Sequence, residues 1–396
     1  MATFSAAPNP NYQGPANLIE QLGAEVASIY GDAERQMIEA VSSRAARGVD
    51  VPPSVAERAR ILGELRQQGE ELAERLRDDA LAARIVSIAE ADGRAAAAAA
   101  LGMSARGTAS GISTTSARAI AATALDLSSS LDDMSNRITR WMPDAYQRVI
   151  SMTSAGILSG VETLQQSQRR AAERFLARGV TGFTDRAGRE WRIGTYAEMA
   201  TRTNVNRAWQ EANIGQAQSF GISLCTIVIG SSACSVCASH AGRVWSTDGR
   251  PAGVYPMPHL TDDRTVDVVV AGPLSAAIAN GWRHPNCRCT TVPYQPGGAM
   301  QPATVHSPEA EAARDRLREL ERRVRDLKRR EAAAFDDVTK ADMRRRIRRA
   351  QRDIRAHVDE TGIGRSNYRE QLSFSDGRTP GPGTTPRAPG PRAINR

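Results

Sequence analysis

Two stretches decide how this chain is read: Ala233-Cys234-Ser235-Val236-Cys237 and, much later, Gly281-Trp282-Arg283-His284-Pro285-Asn286-Cys287-Arg288-Cys289. Cys-x-x-Cys on a tight turn aims two thiolates at one point, and His-x-x-Cys-x-Cys offers three more donors from a second turn. Forty-six residues separate Cys237 from His284. A loop of that length fixed at both ends loses conformational freedom, and a bound metal offsets the loss because metal binding counts as folding energy. Zinc takes four N or S ligands, so five donors compete for four positions. The expectation is a structural zinc site of Cys234, Cys237 and Cys287 with either Cys289 or His284 as the fourth ligand. The remaining donor then helps to position the turn. Disulfides, free thiols and a cluster held by packing alone are the competing readings.

A catalytic zinc needs an open position and a nearby acid or base. The deaminase arrangement, His-x-Glu ahead of Pro-Cys-x-x-Cys, is missing, since Ala233 precedes Cys234. There is no His-Glu-x-x-His, no Gly-x-Ser-x-Gly elbow and no Walker A loop. His240 and His259 lie inside the long interval, but a loop histidine without a partner is seldom a base. No catalytic constellation is found, and the chain reads as a non-enzyme.

Around the cluster the expectation is a compact α+β domain over residues 179–297. Phe183 to Trp191 has the look of a short hairpin with Ala187-Gly188 near its turn. Thr195-x-x-Glu198 matches a capping box opening a helix that runs to about Ser219. The run Ile222–Ile229, bounded by Gly221 and Gly230, reads as a buried strand with Cys225 as a small core residue. Shorter strands are expected at Val244-Trp245, Val266–Val270 and Thr290–Val292.

Outward from that domain the sequence is helical. Residues 1–15 are expected to be disordered and 16–178 to be a helical region. Leu22, Val26, Ile29, Ala33 and Met37 share one helix face. After the break at Pro52-Pro53 a second helical stretch carries Leu65, Leu72, Leu76, Ile85 and Ile88. Residues 94–100 are mostly Ala, and the stretch to about 125 reads either as closely packed or as loose. Helix resumes over 127–178 with Trp141, Val149, Ile150, Ile157 and Leu164 as apolar anchors. On the other side, residues 305–375 read as a charged helical hairpin or coiled coil. One seam is Ala313, Leu317, Leu320, Val324 and Leu327, and the other is Met343, Ile347, Ala350 and Ile354. Phe335–Thr339 bends the chain between them, so the seams pack together or on a partner. Residues 376–396 are expected to be a disordered tail. The fold class is therefore α+β with a helical N-terminal region.

Composition agrees. The chain has 396 residues, with 41% hydrophobic and only 5% aromatic residues, which favours helices over an all-β fold. No apolar run approaches the ~18 residues of a membrane span, and the N-terminus lacks the basic and apolar regions of a signal peptide. The expectation is a soluble protein without membrane contact. Net charge is +8, and 50 of the 52 basic residues are arginine, a bias that fits a GC-rich genome.

The ordered set Phe183-x-Asp185-x-x-Gly188-Arg189-x-Trp191, Tyr196-Ala197-Glu198-Met199-Ala200-Thr201-Arg202-Thr203, Cys234-x-x-Cys237, Gly242-Arg243-Val244-Trp245, Gly281 to Cys289 and Pro293-Tyr294-Gln295-Pro296-Gly297 resembles the phage minor capsid protein 2 family, a relative of the Mu F-type head morphogenesis proteins. Leu320 to Arg325, Gln351 to Arg355 and Arg365-x-x-x-Arg369-Glu370 resemble that family's tail region, so the resemblance spans roughly 180–370. It implies a virion protein made in a bacterial cytoplasm and carried in the phage head. It also implies action at or near the portal in head assembly, packaging or ejection, with the portal or major capsid protein as partner. Much of that family has His where this chain has Cys289. Both residues bind zinc, so the exchange fits a ligand role. Two other readings compete. One is an effector enzyme, nuclease or toxin-like, delivered with the DNA. The other is a head protein that binds packaged DNA non-specifically through Arg344, Arg345, Arg346, Arg348 and Arg349. Against the latter, such charge runs are usually a solvated helix face.

Overall fold

A computed structural model describes residues 15–50, 53–78, 80–102, 111–159, 162–179, 181–184, 190–260, 262–298, 300 and 305–372. The expected disordered ends, residues 1–14 of the first and all of the last, lie outside the described residues, as do Pro52 and the hairpin turn at Ala187-Gly188. The side chains of Ile157 and Leu164 are also outside them.

The chain is α+β and mostly helical. Five helices come first: α1 (Pro15–Asp50), α2 (Val55–Leu76), α3 (Leu81–Ala100), α4 (Thr114–Ser159) and α5 (Glu162–Ala177). The second helical stretch of the sequence reading is thus two helices. Arg77 turns extended and caps α2, and α3 restarts at Leu81. Leu22, Val26, Ala33 and Met37 of α1 are buried together with Leu65, Leu72, Ile85, Met134, Ile138 and Tyr146 in one core.

Strands β1 (Thr181–Thr184) and β2 (Glu190–Arg192) pair antiparallel, as the hairpin reading expected. Helix α6 (Ile193–Ser219) follows directly and packs on α1, α3 and α4. The capping box does not form. Arg192 is the N-cap and makes no side-chain cap bond, which leaves Thr195 and Glu198 within the helix. Glu198 is instead buried in an ion-pair network described below. Of the Ala-rich stretch, Ala97 and Ala98 are buried while residues 103–110 lie outside the described residues, and Gly93 just before it lies so near α6 that a Cβ there would collide with the carbonyl oxygen of Trp209. Small residues let the two helix backbones approach.

Beyond α6 comes a mixed five-stranded sheet in the order β5-β6-β4-β3-β7, made of β3 (Leu224–Val228), β4 (Val244–Ser246), β5 (Gly253–Pro258), β6 (Thr265–Pro273) and β7 (Thr290–Pro293). Only the β4–β6 pair is parallel. Cys225 sits in the core of this layer, and burial pushes its thiol up to about 12. Two short helices, α7 (Ser235–Ala238) and α8 (Leu274–Ala279), flank the sheet. Edge strand β5 was not expected from the sequence.

Helices α9 (Pro308–Ala333) and α10 (Asp337–Thr361) form an antiparallel hairpin. Leu317, Leu320, Val324 and Leu327 pack against Met343, Ile347, Ala350 and Ile354, so the two seams bury each other. Asp336 caps α10 by accepting from the Thr339 amide at 2.7 Å, and Gly362 ends it at φ 68°. The hairpin tip docks on the helical body: Ser42 Oγ donates to the Ala333 carbonyl, and the Phe335 amide donates to Glu173. α9 is the inner helix and α10 the outer one.

Candidate metal centre

The two halves of the Cys/His motif come together. Cys234 caps the single turn of α7, and its Sγ accepts from the Cys237 amide at 3.5 Å, the turn that aims both sulfurs one way. The second half needs a tighter path. Gly281, Arg283 and Asn286 all adopt positive φ, at 95°, 62° and 65°. Glycine and asparagine accept that conformation at low cost. Arg283 does not, and it is held there by a 2.8 Å ion pair to Glu211 of α6.

His284 Nε2 lies 3.2 Å from Cys234 Sγ and 3.4 Å from Cys237 Sγ, and Cys237 Sγ lies 3.6 Å from Cys287 Sγ. Donor atoms of Cys234, Cys237 and His284 all fall within 4.8 Å of one another, and so do those of Cys237, Cys287 and Cys289. Cys237 belongs to both triplets. A tetrahedral zinc with bonds of about 2.0–2.3 Å keeps such donors about 3.5–3.8 Å apart, so these spacings suit the ion. The histidine tautomer suits it as well. Nδ1 stands 2.9 Å from the Pro285 carbonyl, which can only accept, so Nδ1 carries the proton and Nε2 turns its lone pair toward the sulfurs. Both triplets contain only Cys and His. All five donors named from the sequence are thus within or at the edge of one site, and a metal fits it.

The thiols share protons unequally. Cys287 is pulled well below the ordinary thiol range, first by its hydrogen bond with Cys237 and next by that with Cys289. Cys237 is pushed up by its hydrogen bonds with Cys287 and Cys289 and by burial. Cys289 is also raised: its bond with Cys237 acts downward, but its bond to Cys287 and its burial outweigh that. Of these thiols, Cys287 is the one whose surroundings favour the thiolate that a cation binds.

One set of residues at this site escaped the sequence reading. Thr203, Asn206, Gln210 and Asn213 recur at spacings of three, four and three, a polar line on α6 that is buried. Asn206 Nδ2 donates to the Cys287 carbonyl at 2.8 Å, and Gln210 Nε2 donates to the Cys289 carbonyl at 2.8 Å. Thr203 Oγ1 accepts from the Asn286 amide at 3.2 Å. The irregular backbone of the knuckle has no sheet or helix partner for these groups, and α6 supplies one. The signal was a run of hydroxyl and amide side chains at helical spacing.

A second network locks the knuckle to the rest of the chain. Arg288, between Cys287 and Cys289, reaches Glu20 of α1 at 2.9 Å. Glu20 also holds Arg202 at 2.9 Å and Arg369 at 2.5 Å, and Glu198 holds Arg369 at 2.8 Å and Arg202 at 3.3 Å. Arg325 of α9 donates to the Arg369 carbonyl. On the other side, the Ser307 amide donates to the Ser231 carbonyl at 3.1 Å, and Arg314 donates to the Ser232 carbonyl. The knuckle thus lies where α1, α6, the sheet and the C-terminal hairpin meet. His240 and His259 are elsewhere: His240 packs edge-on to Trp245, and His259 faces Asp262 at 3.4 Å.

The chain is thus a helix-dominated α+β protein with a Cys/His knuckle at the junction of its parts. The family description "Phage minor capsid protein 2" matches residues 15–359, nearly the whole chain, and the protein belongs to that family. It is a phage structural protein, and the family points to the virion as its location. No curated protein and no solved structure matches the chain. Among the described residues no helix is long and apolar enough to cross a membrane.

Proposed function

We propose that this protein is a minor structural component of a tailed-phage head, acting at or near the portal in head assembly, and that a zinc ion staples its Cys/His knuckle. The observation that carries the reading is the position of the knuckle. Cys287 and Cys289 hang from α6, Arg288 grips α1, and Ser231 and Ser232, just before Cys234, hold the start of α9. An ion there would join four parts of the chain at one point. That is the work of a structural zinc, whose ligand set is closed and made of N and S donors. A protein that must keep one shape inside an assembling shell gains from such a staple.

Two measurements test the two halves. Elemental analysis of freshly purified, reduced protein should give about one zinc per chain, and a chelator should lower its melting temperature. A zinc content near zero sinks the staple. Carboxylate-directed cross-linking of purified heads should connect this chain to the portal. Cross-links confined to tail proteins, or the chain's absence from heads, would overturn the placement.

A further inference from the structure

We infer that the outer face of α10 is a binding strip for the phosphate backbone of duplex DNA, formed by Arg348, Arg349, Arg352 and Arg355 rather than by the triplet Arg344-Arg345-Arg346. Helix geometry separates Arg344 and Arg346 from the strip. Met343, Ile347, Ala350 and Ile354 mark the side of α10 that faces α9. At 100° per residue, Arg348, Arg349, Arg352 and Arg355 fall on the opposite side, and all four are exposed. Arg344 and Arg346 fall on the flanks of the seam, whereas Arg345 shares the outer side and is set apart only by its ion pair with Asp342.

Charge pairing separates them again. Arg344 is bound to Glu331 of α9 at 2.7 Å, and Arg345 and Arg346 share Asp342 at 2.9 and 2.8 Å. Asp353, the acidic residue nearest the strip in sequence, faces Arg323 of α9 at 3.8 Å. Arg348, Arg349, Arg352 and Arg355 have no carboxylate partner among the described residues. They form four uncompensated guanidinium groups along about 10 Å of rigid helix.

The strip points to a regular polyanion. Between Arg348 and Arg355 no aromatic or aliphatic side chain faces outward, so the strip offers nothing to stack on a base or to insert into a bilayer. Gln351, which could read a base edge, is occupied by Glu370 at 3.1 Å. What remains is charge at helical spacing, which suits backbone contact without sequence preference. The apolar seams are consumed inside the hairpin, so α10 offers a partner charge and not an apolar surface. This inference stands independently of the portal reading and of zinc, since it concerns the purified chain alone.

The test is the salt dependence of binding of the full-length protein to a duplex of arbitrary sequence. Replacing Arg348, Arg349, Arg352 and Arg355 together by Gln should reduce the log–log salt slope by about 3.6. At 50 mM salt the wild-type chain should bind, and its affinity should fall at least about 150-fold by 200 mM. Replacing the same four by Lys keeps the charges and should keep the slope. Replacing Arg344, Arg345 and Arg346 by Gln should change the slope by less than about 1. The proposal is overturned if the wild type does not bind, if the four-Gln variant keeps the slope, if the four-Lys variant loses it, or if the triplet variant loses as much. Vesicles of phosphatidylcholine with phosphatidylglycerol bound as tightly as DNA would also overturn it, because the strip would then read surface charge and not a duplex.

Discussion

Asn206 and Cys287 are joined by a 2.8 Å hydrogen bond from a side-chain amide on α6 to the backbone carbonyl of the knuckle, across 81 residues of sequence. The bond fixes the ligand loop from outside the ligand set. Asn206→Ala removes the donor and leaves a buried carbonyl that no other group can fully satisfy. The cost should be about 1–3 kcal/mol of stability. Loss of an outer support of this kind should also weaken zinc binding about 10–100-fold. Competition with a chromophoric chelator measures the second effect. An unchanged zinc affinity would mean that the knuckle holds its shape without α6.

The five cysteines should divide four to one. Cys225 lies in the sheet core with its thiol pushed up to about 12 by burial, so it is a neutral filler that neither binds metal nor reacts. In the presence of a chelator, a thiol reagent should label the half-buried Cys234 under native conditions and reach Cys225 only on unfolding. Cys225→Ala should leave zinc content unchanged and cost about 1–2 kcal/mol for the cavity. Native labelling of Cys225, or lost zinc in that variant, would show that the sheet and the cluster share the residue.

Gly93 carries a different constraint. Its α position faces the Trp209 carbonyl of α6 so closely that a methyl group has no room. Backbone cannot swing aside as a side chain can. Gly93→Ala should therefore destabilise the protein by about 1–3 kcal/mol, although alanine is the better helix former. Thermal unfolding checks it. An increase in stability would mean that α3 and α6 are less tightly joined than the structure shows.

These sites differ in how far the sequence revealed them. The α9 and α10 seams were legible because Leu317, Leu320, Val324 and Leu327 repeat at spacings that only a helix turns to one side. Cys234, Cys237, His284, Cys287 and Cys289 stood out because few residue types share their chemistry. Strand β5 was hidden by Pro256 and Pro258, which argue against a strand in general but are tolerated on the sheet edge where β5 lies. Thr203, Asn206, Gln210 and Asn213 were hidden because a polar line on a helix reads as its wet face. Its burial depends on a knuckle that arrives some 80 residues later. Glu198 was misread for a related reason. Its spacing from Thr195 is a local pattern, whereas its partner Arg369 is distant in sequence, and no periodicity connects the two.

Glu198 also gives the pH dependence. Burial pushes its carboxyl up, but Arg369, Arg202 and Arg325 outweigh burial, and the net shift is downward from 4.5. A carboxyl whose folded pKa is depressed adds stability above its unfolded pKa and loses it as pH falls through the folded value. The contribution should thus be complete at neutral pH and decline below about pH 4.5. Glu198→Gln keeps the shape and deletes the charge, taking one of the carboxylates that pair with Arg369, itself 5% exposed. The variant should lose about 3 kcal/mol at pH 7. It should lose less as pH falls through the lowered folded value, where the wild type surrenders the pair. Limited proteolysis adds a readout specific to the network. Because Arg369 anchors the C-terminal segment to α1 and α6, cleavage near residues 365–372 should quicken in the variant at pH 7 while the α9–α10 hairpin stays resistant. Equal destabilisation at both pH values would show that the loss comes from packing and not from charge.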